Sequence, residues 1–218
     1  MNNIKVGIIG ATGSGKSTIL RLLMRFYDAD SGIIRINGKD VRSYTQDELT
    51  AMFGVVFQND FLYADTIEEN IRFGRDIPTE NIVEATKVAQ AYDFITSFSD
   101  GFSHSVSTGG TNLSGGQRQR VLISRAIAGR PEILVLDDSS SALDYKTDAN
   151  LRKALSESLP NSTIITVAQR VSSVKNCDLI LVIEEGAIIG YGKHDELMKN
   201  CKEYKEISDS QMGGAFLD

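Results

Sequence analysis

The stretch Gly10-Ala11-Thr12-Gly13-Ser14-Gly15-Lys16-Ser17 constrains this chain more than any other. It follows the apolar run Ile4-Lys5-Val6-Gly7-Ile8-Ile9, which reads as a buried parallel strand. It precedes a helical pattern from Ser17 to Tyr27, with Ile19, Leu20, Leu22, Leu23 and Phe26 on or near one face. A strand that enters a helix through G-x-x-x-x-G-K-[ST] is the pattern of a phosphate-binding loop. Its glycines let backbone N–H groups turn inward around a β-phosphate, and the helix beginning near Lys16 adds its positive end. Lys16 then reaches the β and γ oxygens, and the Ser17 hydroxyl suits Mg²⁺. The competing reading is a glycine-rich turn that starts a helix and holds nothing. The loop alone does not choose among kinases, GTPases and ATP-driven motors.

The rest of the chain alternates strand and helix. Ser31-Gly32 is a turn, and Ile33-Ile34-Arg35-Ile36 followed by Asn37-Gly38 carries a hairpin signal. Strand character recurs at Gly54–Phe57, Ile133–Leu136, Thr163–Val167 and Asp178–Ile183, with helical stretches near Ser114–Ala128 and Lys146–Ser158. Residues 60–110 are helical and polar in texture, with Asp65 and Thr79 as expected N-caps. The pattern predicts an α/β fold whose mainly parallel sheet is covered on both faces. Residues 1–59 form the first half of a core, with a β-hairpin over 32–57; residues 60–117 form an inserted helical subdomain. Residues 118–202 form the second half and 203–218 a tail, whose last dozen residues show no periodicity and are expected to fray.

A length of 218 residues fits one medium domain, or one domain with an insertion. Lys plus Arg number 23 against 29 Asp plus Glu, a net charge of −6, which argues against a nucleic-acid partner. Arg118, Arg120 and Arg125 therefore read as a solvated helix face rather than a basic stripe. Cys177 and Cys201 lie too far apart in sequence for a local metal pair and fit a reducing compartment. His104 and His194 read as surface residues, the latter at a helix start. No apolar run approaches the roughly 18 residues of a membrane span, so the expectation is a soluble fragment.

The remaining motifs are more specific. Ile133-Leu134-Val135-Leu136-Asp137-Asp138 is an apolar strand ending in two carboxylates, the first of which suits a metal. Leu113-Ser114-Gly115-Gly116-Gln117, followed by Arg118-Gln119-Arg120 and a helix, resembles the signature of ATP-binding cassette (ABC) ATPases. Val56-Phe57-Gln58 resembles that family's Q-loop, and Ser141-Ala142-Leu143-Asp144 its D-loop. Leu62 to Gly74, with Thr66-Ile67 and Glu69-Asn70-Ile71, resembles the exporter branch. The matches run from Gly7 to about Leu197.

The resemblance implies a P-loop NTPase (RecA-like) core, an inserted α-helical subdomain and an incomplete antiparallel β subdomain. It implies ATP and Mg²⁺ as ligands. Gly10, Thr12, Gly13, Ser14, Gly15, Lys16, Ser17, Thr18 and Gln58 would contact nucleotide. Ser17, Gln58 and Asp137 would hold the metal, and Lys16, Asp138 and Gln169 would serve catalysis. Ser114, Gly115, Gly116 and Gln117 open a helix whose N–H groups form an anion site; in the family it faces ATP held by a second nucleotide-binding domain. The bland alternative makes Ser114 an ordinary N-cap. A transmembrane domain, outside this chain, is the other implied partner. The expected location is the cytoplasmic face of the cell membrane.

Departures from the family pattern carry information. Asp138 stands where the family has the Glu that polarises water, one methylene shorter, and a displacement of about 1 Å can cost about a hundredfold in rate. Gln169, in Val167-Ala168-Gln169-Arg170-Val171, stands where the family has a histidine; it donates a hydrogen bond but carries no charge and relays no proton. The expectation is a heterodimer: this chain's own site turns over slowly, and its signature completes an active site on a partner that has Glu and His. Nine residues precede Gly10, fewer than the family's, so an adenine-stacking aromatic and antiparallel strands are expected to be missing and ATP binding weakened. Ser107-Thr108-Gly109-Gly110 lacks the Glu that exporters carry where they sense the membrane domain. The leading function is thus an ATP-hydrolysing module that powers an exporter. The alternative is a nucleotide-gated regulatory subunit with negligible hydrolysis; a soluble ABC ATPase of DNA repair or translation fits less well, given the exporter-like Thr66–Gly74 segment.

Overall fold

In the computed structural model the described residues are 4–139 and 142–213. The chain runs β1 (Lys5–Ile9), α1 (Lys16–Leu23), β2 (Arg35–Ile36), β3 (Lys39–Asp40), α2 (Gln46–Ala51) and β4 (Phe53–Val56). Then come β5 (Asp65–Thr66), α3 (Ile67–Arg72), α4 (Thr79–Val88), α5 (Tyr92–Ser97), β6 (Ser105–Val106) and α6 (Gly115–Ile127). After β7 (Ile133–Asp137) and α7 (Tyr145–Ser158) follow β8 (Thr163–Ala168), α8 (Val171–Val174), β9 (Leu179–Glu184), β10 (Ala187–Gly192), α9 (His194–Asn200) and α10 (Lys202–Gly213). The fold is α/β with a mainly parallel sheet, and its contacts divide into two bodies, Ile4–Phe53 with Thr163 onward, and Gly54–Ser162.

In the first body the strand order is β10-β9-β1-β8. β1 lies parallel to both neighbours, so that Ile8 faces Val167 on one side and Leu181 on the other. A strand flanked on both edges is buried where its neighbours cover it, which accounts for apolar Gly7, Ile8 and Ile9 at its buried end, while Lys5 stands at its half-buried start. Of these four strands, β10 is the one that pairs antiparallel. Ile9, Val174, Ile180, Val182, Leu197 and Tyr204 join in one buried cluster that ties α8, α9 and α10 to these strands. β2 and β3 pair antiparallel about Asn37 (φ 51°) and Gly38 (φ 77°), the two left-handed residues that a tight hairpin needs.

The second body is built around α6, against which α3 and α4 pack. Ile67, Ile71, Ile82, Ile95 and Ile123 are fully buried there. β4 and β7 are neighbours in this body, and β5 pairs with β6.

Several sequence expectations need correction. The cap of α3 is Thr66, whose hydroxyl accepts from Glu69 N–H at 3.1 Å, and not Asp65; Thr79 is the first residue of α4, behind Pro78, rather than its cap. The tail does not fray from residue 207: α10 runs to Gly213, with Tyr204 and Ser208 buried and Ile207 packed on the cluster. These three lie four and three residues apart and so share one helical face. Residues 214–218 lie outside the described set. His104 stacks on Phe98 at 3.8 Å between ring centroids, and His194 Nδ1 lies 2.9 Å from the Tyr204 hydroxyl, so both histidines are half-buried. Both cysteines are free. Among the described residues no helix is long and apolar enough to cross a membrane.

Candidate functional site

The loop between β1 and α1 is shaped for an anion. Gly15 stands at the N-cap with φ 105°, a left-handed conformation open to glycine, and no side chain caps the helix. No acidic residue lies in the first turn of α1, so no carboxylate of the helix itself offsets its positive end. A side chain at Gly10 would come within 2.1 Å of the Ile183 carbonyl oxygen and 2.7 Å of Ser14 Oγ, so only glycine lets the loop sit this close to β9. Ser14 N–H donates to Ala11 O at 3.2 Å, closing the turn. Lys16 bends back over the loop, its Nζ donating to Gly10 O at 2.8 Å and Ala11 O at 2.6 Å. Ser14 is 6% exposed, and its hydroxyl is buried without a hydrogen-bond partner. A buried hydroxyl left in this state costs about 1–3 kcal/mol, which a bound phosphate oxygen would recover. The cradle therefore fits a phosphate group. Thr12, Gly13 and Thr18 are exposed around it, and Ser17 is half-buried.

A support absent from the sequence reading lies behind the loop. Gly186, in the turn between β9 and β10, donates its N–H to Ser14 O at 2.9 Å. Its Glu185-Gly186 pair is left-handed at both residues (φ 47° and 80°).

β7 delivers the carboxylates. Asp137 is its last residue and is 6% exposed, while Asp138 is half-buried with φ 49°. Asp tolerates the left-handed region better than longer side chains do. Gln58 is exposed and follows the end of β4, the neighbour of β7. Ser17 hydroxyl, Gln58 amide oxygen and Asp137 carboxylate are hard oxygen donors of the kind Mg²⁺ accepts.

The signature residues start α6. Ser114 Oγ accepts from Gln117 N–H at 3.2 Å, and Gln117 Oε1 accepts from Ser114 N–H at 2.9 Å, a reciprocal capping box. Ser114 is thus an N-cap in fact, and Gln117 is engaged with it. The cap uses Ser114 as acceptor, so the hydroxyl hydrogen is left to donate elsewhere. A side chain at Gly116 would come within 3.2 Å of Ala142 O, which seats the start of α6 against the segment before α7. Of that segment, Asp144 caps α7 by accepting from Thr147 N–H at 2.9 Å, a bond that holds its carboxyl below the usual range; Ser141 lies outside the described residues.

The arginine reading is overturned in part. Only Arg118 is exposed. Arg120 Nη1 donates to Gln90 O at 2.6 Å, and its guanidinium lies 4.7 Å from the Phe94 ring centroid. Arg125 is 7% exposed, donates to Asn70 O at 2.8 Å and Phe61 O at 3.0 Å, and lies 3.6 Å from Asp60. It also sits 4.5 Å from the Phe73 centroid, beneath a patch of Phe61, Tyr63 and Phe73 rings spaced 4.8 Å and 5.5 Å apart. Those rings stay about half exposed, at 50%, 46% and 46%. Beside them, Gly109 N–H donates to Leu62 O at 2.8 Å, so the Ser107–Gly110 segment adjoins the patch.

Gln169 follows β8 with its side chain exposed. Its carbonyl accepts from Gln211 Nε2 at 2.8 Å, and Gln211 Oε1 accepts from Val171 N–H at 2.8 Å. Nothing in the sequence reading pointed to Gln211.

Comparison with known proteins gives these features a context. A family described as "ABC transporter" matches residues 2–141. A Bacillus subtilis protein described as the uncharacterized ABC transporter ATP-binding protein YknU is 44% identical over 207 residues, covering 94% of this chain and 35% of that protein. ATP-binding cassette sub-family B member 6 of Mus musculus is 44% identical over 210 residues, 96% of this chain and 25% of its own. A solved bacterial Atm1-family ABC exporter with ATP bound superposes with a TM-score of 0.92 at 37% identity, over 96% of this chain and 37% of that one. This chain therefore spans 25% to 37% of these three proteins.

Proposed function

The chain belongs to the ABC transporter family as a nucleotide-binding domain, an ATPase module related to exporter subunits, and from this premise we propose that it binds Mg-ATP, hydrolyses it slowly and so powers an exporter. The observation that carries the reading is the orphaned Ser14 hydroxyl inside an uncapped, glycine-lined helix start, with Lys16 folded over it. On γ-phosphate entry Lys16 exchanges its loop carbonyls for phosphate oxygens. When bound, Mg²⁺ would neutralise phosphate charge, and the Ser17 hydroxyl, Gln58 amide oxygen and Asp137 carboxylate are the donors that would hold it. Asp138 orients the attacking water as general base, and Gln169 donates to the γ-phosphate.

The turnover is slow because Asp138 is one methylene short and Gln169 neither carries charge nor passes a proton. The chain pairs with a second nucleotide-binding domain, a non-identical subunit with Glu and His at these places, and contributes Ser114–Gln117 to that subunit's ATP. The exposed Phe61–Tyr63–Phe73 patch, backed by Arg125, supports docking of a transmembrane domain, which sets the module at the cytoplasmic face of the membrane. A second reading, a nucleotide clamp with negligible chemistry, rests on the same Asp138 and Gln169.

Steady-state phosphate release by the 218-residue chain with Mg²⁺ separates them. Asp138→Glu combined with Gln169→His is expected to raise the rate about a hundredfold. A wild-type rate that this double change leaves unaltered contradicts the slow-site reading.

A further inference from the structure

We propose that Gln211 is a positioning residue that sets the γ-phosphate sensor Gln169, making the C-terminal helix α10 part of the nucleotide switch; this rests on the reading of Gln169 given above. The carboxamide of Gln211 grips the backbone on both sides of Arg170, donating to Gln169 O and accepting from Val171 N–H, each at 2.8 Å. Amide against main chain in this two-bonded form repeats the pairing of adjacent strands and fixes the peptide planes it holds.

The clamp sits at a helix start that its own N-cap side chain leaves open. Arg170 is the N-cap of α8 and makes no side-chain cap bond, so the first N–H of α8 is satisfied from forty positions away, by α10. α10 is itself anchored. Tyr204 is fully buried with its hydroxyl 2.9 Å from His194 Nδ1, Ser208 is buried, and Gln211 follows on the same face one turn later. A clamp on so firmly seated a helix holds the end of β8 to one geometry, and the Gln169 side chain departs from that geometry. Because the clamp's partners are main-chain atoms, its removal acts on where Gln169 points rather than on what Gln169 is.

The consequence concerns the γ-phosphate alone. ADP lacks the group Gln169 addresses, so loss of the clamp is expected to leave ADP affinity unchanged. Affinity for a non-hydrolysable ATP analogue with Mg²⁺ is expected to fall about fivefold in Gln211→Ala, the net worth of one hydrogen bond. Gln211→Glu keeps an acceptor for Val171 N–H but sets a carboxylate against Gln169 O. It is expected to retain the thermal stability of the wild type better than Gln211→Ala while losing γ-phosphate discrimination to the same degree. In a Gln169→Ala background, Gln211→Ala is expected to change the ratio of analogue to ADP affinity less than twofold, a coupling that a purely structural cap does not produce.

The experiment is calorimetric titration of the 218-residue chain and these four variants with ADP and with the analogue. A Gln211→Ala ratio equal to that of the wild type, or an undiminished effect in the Gln169→Ala background, overturns the inference alone. A wild type that takes up neither nucleotide overturns the nucleotide reading and this inference with it.

Discussion

Two helix starts in this chain share a composition of glycine and serine and are finished in opposite ways. α1 begins behind Gly15 with no side-chain cap, whereas α6 begins behind Ser114 with a complete capping box. The first leaves its amides and dipole for something outside the helix, and the buried Ser14 hydroxyl beside it waits without a partner. The second has closed on itself, and what it retains is a hydroxyl hydrogen, backbone at Gly115 and Gly116, and its place against Ala142. A helix that must grip a phosphate by itself stays open. A helix start proposed to complete another subunit's site is one that is already stable without it.

The widest gap between the two is expected at Lys16. Lys16→Ala removes a charged donor from the first position of α1, where α6 has Gly115, and is expected to weaken binding of an ATP analogue about a hundredfold by calorimetry, since a charge-assisted bond contributes about 1.5–3 kcal/mol. If the effect is under threefold, the open helix start is not a phosphate cradle. Ser114→Ala inverts the pattern. Melting experiments are expected to show a loss of about 1 kcal/mol from the missing cap, with nucleotide affinity in the chain's own loop unchanged. Comparable loss of affinity would mean that the two starts serve one site.

Ser14→Ala sharpens the contrast further. Deleting an orphaned buried hydroxyl is expected to raise nucleotide-free stability by about 1 kcal/mol and to weaken analogue binding by a few-fold, a reversal of sign absent at Ser114. Smallest is a pH effect remote from both starts. Burial pushes the Tyr204 hydroxyl up to about 12. The unfolded chain ionises this group near its ordinary 10, so the stability it contributes is present below that value and declines as pH rises from about 10 to about 12. Denaturation curves of Tyr204→Phe are expected to lack that decline, and an identical decline in the variant would assign it to other groups.

The phosphate loop was legible because its logic is local: glycines, a lysine and a hydroxyl at fixed spacing between a strand and a helix. The Asn37-Gly38 turn was legible for the same reason, but the hairpin expected over 32–57 ends at Asp40, because Thr45 and Glu48 cap a helix at Gln46–Ala51. Arg125 was misread because its partners, Asn70, Phe61 and Phe73, come from far along the chain, and a guanidinium in a helix looks the same in sequence whether wet or buried. The aromatic patch went unseen because Phe61, Tyr63 and Phe73 keep no helical or strand period. α10 was missed because its inward stripe mixes Tyr204 and Ile207 with Ser208, and that polar residue hid the repeat. Thr66 was passed over for its neighbour Asp65, since either residue type caps a helix and only backbone geometry decides.

One titration bears directly on the central claim that the Gly10–Ser17 loop grips the terminal phosphates of a nucleotide. Folded wild-type chain is titrated with a non-hydrolysable ATP analogue, with magnesium and then with magnesium chelated. The account predicts saturable uptake of one analogue per chain that weakens when magnesium is withdrawn and weakens about a hundredfold in Lys16→Ala. Folded protein that takes up no analogue in either condition, or that binds it as well without Lys16, contradicts the account.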